Sequence, residues 1–259
     1  MKKLFALSLL FAGALSLCAQ DAKQNTDSNP GTEEPKAAKA ADFVHFSSLG
    51  ETWIELNGGV AIGHYKVDNA FSNYKGGAMA GIWSNMMLDK RDYFDKQITV
   101  GIDVGAGFEY RQSSIGNLDM DAYNFGGYIK PYVTFFKSEF ANVSVFIAPY
   151  FTYTRMEHSA PFSSDDLNGD NIYKLGFSAG FEFSILEDFY IAPTYRYVRT
   201  QSWDLIGNGY DKNVVEVELG YRIYENVSLH INYAHEFEKG VAEIKTSADI
   251  ITGGVRYTF

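Results

Sequence analysis

The amino-acid sequence predicts an all-β fold: a closed, antiparallel, up-and-down barrel of about ten strands, with eight as the alternative. Three observations carry this. Beyond the N-terminal region, apolar and polar residues alternate with a strict period of two. The alternating segments are joined by links of two lengths, which alternate along the chain. No run in this part is apolar for long enough to cross a bilayer as a helix.

The first 19 residues, MKKLFALSLLFAGALSLCA, are an address rather than a structural element. Lys2 and Lys3 form a positive start, Leu4 to Leu17 an apolar stretch, and cleavage after Ala19 is expected. Lipoprotein processing would instead make Cys18 the lipidated first residue, but Leu17 stands before it where a small residue is wanted. Losing the signal peptide removes Lys2 and Lys3 and takes the formal charge from −10 to −12. Residues 20–43 are polar and carry Pro30, Gly31 and Pro35. Such a segment buries too little surface to offset its ordering entropy and reads as a flexible periplasmic linker. Residues 44–259 form the barrel domain.

Ile98 to Arg111 sets the pattern. Ile98, Val100, Ile102, Val104, Ala106, Phe108 and Tyr110 line one face; Thr99, Gly101, Asp103, Gly105, Gly107, Glu109 and Arg111 line the other. On a helix these apolar residues would scatter round the circumference; on a strand they share a side. Strands are expected at about 52–66, 73–86, 97–111, 122–136, 143–156, 172–186, 189–202, 213–223, 226–237 and 249–259. The links near Phe136–Asn142, Leu186–Asp188 and Tyr224–Asn226 are short. Those near Gln112–Asp121, Glu157–Asn171, Trp203–Lys212 and Glu238–Ala248 are longer. Two links fit less well: Met87–Lys96 is long for a turn, and Val67–Ser72 is short for an outer loop. Pro131, Pro149 and Pro193 fall inside strands, where only bulges or weakly paired sites tolerate a missing N–H.

Alternation leaves open which face is inside. The strands carry more bulky apolar groups on one side than a small lumen holds, which excludes a soluble barrel but not a sandwich. The other side is rich in glycine and opposite charges, which suits a crowded polar interior better than a wet surface. Phe108, Tyr110, Tyr123, Phe125, Phe151, Tyr153, Tyr195, Tyr197 and Tyr233 cluster near strand ends, as rings do at a lipid–water boundary. The apolar face is therefore expected to meet lipid, which makes the fold transmembrane and requires the sheet to close.

The last strand carries a resemblance. Thr252, Gly254, Tyr257 and the terminal Phe259 match the C-terminal signal of bacterial outer-membrane proteins. The chain resembles the small porin-like barrels of the OmpA or OmpX kind, which usually have eight strands. That resemblance implies residence in the bacterial outer membrane after export through the periplasm. It also implies two partners, outer-membrane lipid and the barrel assembly machinery, which reads the last strand by β-pairing.

Candidate chemistry lies on the polar face. It carries Glu55, Asp103, Glu109, Glu182, Glu216, Glu218 and Glu236 with Lys130, Lys174, Arg196, Arg222, Arg256 and His230. Opposite charges in similar number read first as a network filling the lumen, and second as a narrow path for ions or solutes. Ten strands are also shared with the omptin outer-membrane proteases, whose external cleft uses Asp and His. The residues available for that here are His158, Asp165, Asp166, Asp170, Asp204 and Asp211, without a matching motif. His158 and Ser159 are neighbours in sequence, which does not pair them for lipid deacylation. Asp166, Asn168 and Asp170 have calcium-loop spacing, but Asn171 and Phe177 stand where Gly and Glu are required. No cofactor or metal is expected. The acidic balance argues against nucleic acid. The reading is non-enzymatic: a barrel displaying outer loops for adhesion or ligand contact at an external or host surface, with a narrow passive channel as the alternative.

Overall fold

The computed structural model describes residues 45–67, 70–74, 77–115, 118–159, 170–185, 187–202, 210–239 and 245–259. The expected signal peptide and linker lie outside them. The strands are β1 (Trp53–Val67), β2 (Ala70–Tyr74), β3 (Ala78–Tyr93), β4 (Ile98–Ile115), β5 (Leu118–Lys137) and β6 (Ala141–Ser159). They continue as β7 (Asp170–Ile185), β8 (Phe189–Ser202), β9 (Tyr210–Tyr224), β10 (Val227–Lys239) and β11 (Lys245–Thr258). Each of β3 to β11 pairs antiparallel with its sequence neighbour, and β11 pairs with β1 from Trp53↔Thr258 to Lys66↔Lys245, closing the sheet. Strands β2 and β3 share one place beside β1: β2 covers Gly63–Val67 and β3 covers Trp53–Val60. The barrel therefore has ten strand positions.

Several expected links prove to be strand. The Met87–Lys96 link is the end of β3 and a tight turn: a bulge between Met87 and Asp89 takes up Leu88, and pairing runs on to Tyr93↔Ile98. Phe94, Asp95 and Lys96 make that turn with positive φ, at 53°, 51° and 70°. The Gln112–Asp121 link is also strand, because Gln112 pairs with Asp121 and the ladder continues to Ile115↔Leu118. In the Trp203–Lys212 link, β9 already begins at Tyr210. Beyond the lipid a hairpin ladder needs no apolar face, so these polar extensions lack the alternation by which the others were read.

Two of the three strand prolines sit in one break. The β5–β6 ladder skips from Tyr128↔Tyr150 to Tyr132↔Phe146, which leaves Pro131 and Pro149 in the gap. The β7–β8 ladder skips from Gly180↔Thr194 to Phe183↔Ile191, around Pro193. A residue without an N–H costs least where the rungs are already missing.

The period of two sorts every strand into an outer and an inner face. Outward point Leu56, Val60 and Ile62 on β1, Phe125 and Ile129 on β5, Leu175 on β7 and Ile231 on β10, all exposed. Inward point Glu55, Asp103, Glu182, His230 and Arg256, all buried. Glycines on the inner face make room for tyrosine rings. A Cβ on Gly101 would lie 2.3 Å from the Tyr132 ring, and one on Gly220 would lie 2.3 Å from Tyr190.

Candidate functional site

At the rim of short turns the segment before β1 folds into the barrel and forms a plug. Phe46 is 2% exposed. Its ring lies 5.2 Å from that of Tyr190 on β8, beneath the Arg222 guanidinium at 4.8 Å. The Ser47 and Ser48 hydroxyls donate to Glu182 on β7, and the Ser48 amide donates to both its oxygens at 3.1 and 3.2 Å. Leu49 packs with Tyr132 of β5 and Phe146 of β6. Gly50, at a φ of 70° that favours glycine, donates its N–H to Asp103 of β4 at 2.9 Å. The Glu51 carbonyl accepts from Asn85 of β3 at 2.7 Å. These contacts reach from β3 round to β9, so residues 45–51 bridge the lumen.

Above the plug, Arg256 organises the middle level. It donates to Glu55 at 2.6 and 3.0 Å, to Glu218 at 3.1 Å and to the Tyr190 hydroxyl at 2.9 Å. Its guanidinium sits 3.8 Å over the Trp53 ring. Tyr190 donates to Glu218 and lies 2.9 Å from His230 Nδ1; His230 Nε2 lies 2.7 Å from the Ser228 hydroxyl. Toward the other rim a second set forms. Arg196 pairs with Glu216, Lys212 pairs with Glu236, and Arg111 stands 3.8 Å from Glu236. Asn124 donates to Glu109 at 3.2 Å and accepts from Thr154 at 2.6 Å. Lys130 rests over Tyr128 at 4.8 Å and Phe146 at 5.3 Å. A cavity of about 350 Å³ runs between the two sets, with Ser48 and Trp53 among its lining residues and Lys174 and Lys212 farther up. Ser48 of the plug thus lines its lower end.

Glu55, Glu218, His230 and Arg256 meet in one cluster. Asp103, Glu182 and Arg222 hold the plug, and Glu109, Arg196, Glu216 and Glu236 belong to the upper set. Sequence reasoning left out the plug and its partners Tyr190, Tyr132 and Asn85. Phe46 and Leu49 were the available signal: two large apolar residues claimed by no alternating strand. It also missed Lys212, read as loop, and Arg111, left as one polar-face residue.

The outside of the barrel has its own order. An apolar belt, with Leu56 62%, Leu175 61% and Ile231 56% exposed, lies between two rings of aromatics. At one edge Tyr110, Tyr197 and Tyr233 turn their hydroxyls away from the belt, donating to Asp121, Asp211 and Asp249 at 2.7, 2.9 and 2.8 Å. At the edge of short turns stand Phe140, Tyr224, Tyr257 and Phe259, of which Phe259 is 73% exposed. A closed sheet with oil outside, charge inside and a girdle at each boundary has one solvent. This is an outer-membrane barrel. In such barrels the short turns face the periplasm, and the plug lies at the rim of short turns.

No protein-family description matches the chain, and no curated protein matches it in sequence. Among solved structures the barrel is similar to the outer-membrane protease OmpT of Escherichia coli, at 13% identity and a TM-score of 0.36 over 83% of this chain and 99% of that one. It is similar to the transport unit of the E. coli autotransporter AIDA-I, at 12% identity and a TM-score of 0.45 over 85% and 95%. It is also similar to Ail, the attachment invasion locus protein of Yersinia pestis, at 10% identity and a TM-score of 0.31 over 80% and 99%. No residue role passes from these proteins to this barrel.

The residues weighed for an omptin-like cleft fall mostly outside the described side chains: His158, Asp165, Asp166, Asp170 and Asp204. Asp211 is described and accepts from Tyr197 on the outward face. Ser159 and Asn168 likewise lie outside. Among the described residues no group of three His, Cys, Asp or Glu side chains is placed to hold a metal ion.

Two predictions arise here. Ile231→Lys puts an ammonium in the belt and is expected to cost about 2–4 kcal/mol if it lies near the midplane. Urea unfolding of the refolded barrel in lipid measures this, and an unchanged midpoint contradicts the outward belt. The second concerns Glu51 in the plug. Burial pushes its carboxyl up from 4.5 to about 7 and Glu182 adds to the rise, while Arg222, Lys90 and Arg256 oppose it. A carboxyl raised in the docked plug favours docking most below its undocked pKa, and that contribution is lost as pH climbs through about 7. Hydrogen-exchange protection of residues 46–51 is expected to be higher at pH 5.5 than at pH 8 (about those values, either side of the transition). Glu51→Gln is expected to flatten the difference.

Proposed function

We propose that the chain is a stoppered, non-enzymatic outer-membrane barrel whose job is to present the strand connections of its outer rim. Those are the links at Glu157–Asn171, Trp203–Lys212 and Gln112–Asp121, the last carried on an extended β4–β5 ladder. They would serve adhesion or contact with an external ligand or host surface. The plug carries this reading, because a segment held from β3 to β9 stands across the path a solute would take. The paired charges above it support a structural lumen. Assembly fits the C-terminal signal: Thr252, Gly254 and Tyr257 belong to β11, the strand that closes on β1, and Phe259 follows directly after it. In this reading the barrel assembly machinery takes up that strand before closure.

The passive channel is the second reading, favoured by the cavity of about 350 Å³ above the plug. Single-channel recording of the purified mature protein in a planar bilayer separates the two. The display reading expects a silent membrane. Steady unitary openings from the unaltered protein would overturn it in favour of the channel.

A further inference from the structure

The charges of the upper lumen do not balance, and the imbalance has an address. Four cations, Arg111, Lys174, Arg196 and Lys212, face three carboxylates, Glu109, Glu216 and Glu236, inside a chain whose formal charge is −10. The carboxylates already have partners. Glu216 is taken by Arg196, Glu236 by Lys212 with Arg111 beside it, and Glu109 by the Asn124 amide. Lys174 is left over. It lies on the inner face of β7, and the charges acting on it most are those of Lys212, Glu236, Arg111 and Glu109. Among the described residues, no carboxylate comes within the 4.0 Å of an ion pair with it. Nearby, the Tyr150 hydroxyl is buried against Gly176 and makes no hydrogen bond with any described residue.

An ammonium held in a narrow lumen without a carboxylate in direct contact is costly, and the cost falls when an anion arrives. The neighbouring guanidinium groups offer paired N–H donors that match carboxylate and phosphate oxygens. The same cavity has an aromatic wall, where Trp83 and Tyr128 stack at 6.4 Å, suited to the flat or apolar body of a small molecule. About 350 Å³ is at the small end of ligand pockets and admits one such molecule.

We propose that the upper lumen binds one small solute bearing a carboxylate or phosphate group, received by Lys174 between Arg111 and Lys212. The site opposes a cation, which would meet the surplus positive charge. It does not depend on whether the barrel conducts, because a plugged lumen is still a pocket.

Titration calorimetry tests this on the refolded mature barrel in detergent at low ionic strength, with inorganic phosphate and benzoate as the two probes. Saturable binding of at least one probe at a single site is expected, weakened tenfold or more by Lys174→Met and retained by Lys174→Arg. Arg155→Met, on the outer face, is expected to bind as the parent does. If Lys174→Met does not fold, as judged by gel mobility before and after boiling, Lys212→Met takes its place with the same expectation. No saturable heat with either probe overturns the proposal, as does unchanged binding in a folded Lys174→Met or Lys212→Met barrel. Phosphate binding alone assigns the site to the cations. Tighter benzoate binding brings in the Trp83–Tyr128 wall.

Discussion

Arg256→Met is expected to destabilise the barrel by about 3–5 kcal/mol, the range for removing one partner of a buried charge cluster. Only 4% of the Arg256 side chain is exposed, and it is the shared donor to Glu55, Glu218 and Tyr190. Without it two carboxylates face each other, with the His230 ring 3.4 Å from Glu218. Methionine fills much of the volume but supplies no donor. The loss should therefore exceed that of a surface ion pair such as Arg91–Asp89, where both side chains are at least half exposed and water screens the charges. Urea unfolding of refolded protein measures this without the cellular assembly route. Trp53, stacked under the guanidinium, offers a fluorescence probe at the lesion. Combining Glu55→Gln with Arg256→Met should cost less than the two changes added separately, because the glutamine no longer needs the lost charge. A cost below about 1 kcal/mol for Arg256→Met would make the cluster ornamental.

The fold was legible because lipid makes a simple demand. Where oil lies on one side and a packed polar lumen on the other, residues must alternate, as Ile98 to Arg111 do, and the alternation can be read without coordinates. Where lipid stops, that demand stops. The β4–β5 ladder from Gln112↔Asp121 to Ile115↔Leu118 is strand by backbone pairing alone, so its polar sequence looked like a loop. The same reasoning hid Lys212, whose partner Glu236 lies on the next strand. The end of β3 was obscured for a different reason: the bulge at Leu88 shifts the phase, and a period-of-two reading loses register there. The lumen raises a harder problem. Alternation says that Glu182 points inward, but not that its ligands are Ser47 and Ser48, more than 130 residues earlier. Partner choice across a closed sheet depends on register and on what enters from the end, and neither is written in a local pattern.

Deleting residues 45–51 is expected to turn a silent barrel into a conducting one. Ser48 lines the floor of the cavity of about 350 Å³, so its removal joins that cavity to the periplasmic rim. The remaining middle-level cluster does not replace the stopper. Arg256, Glu55, Glu218 and Tyr190 sit on β11, β1, β9 and β8, a run of strands along one side of the wall, whereas the plug also reaches β3 to β7 opposite. The deletion also turns Glu182 and Asp103 from buried acceptors into groups facing water, so the barrel tolerates the loss of their donors. Planar-bilayer recording should show steady small openings that the parent lacks, with heat-modifiable gel mobility confirming a folded barrel. The milder pair Phe46→Ala and Leu49→Ala empties the apolar contacts with Tyr190, Tyr132 and Phe146 while keeping the serines on Glu182. It should give brief openings rather than steady ones, because a loosened plug remains tethered by hydrogen bonds. A folded deletion variant as silent as the parent would mean that the cavity ends elsewhere, and that the plug braces the barrel without closing it.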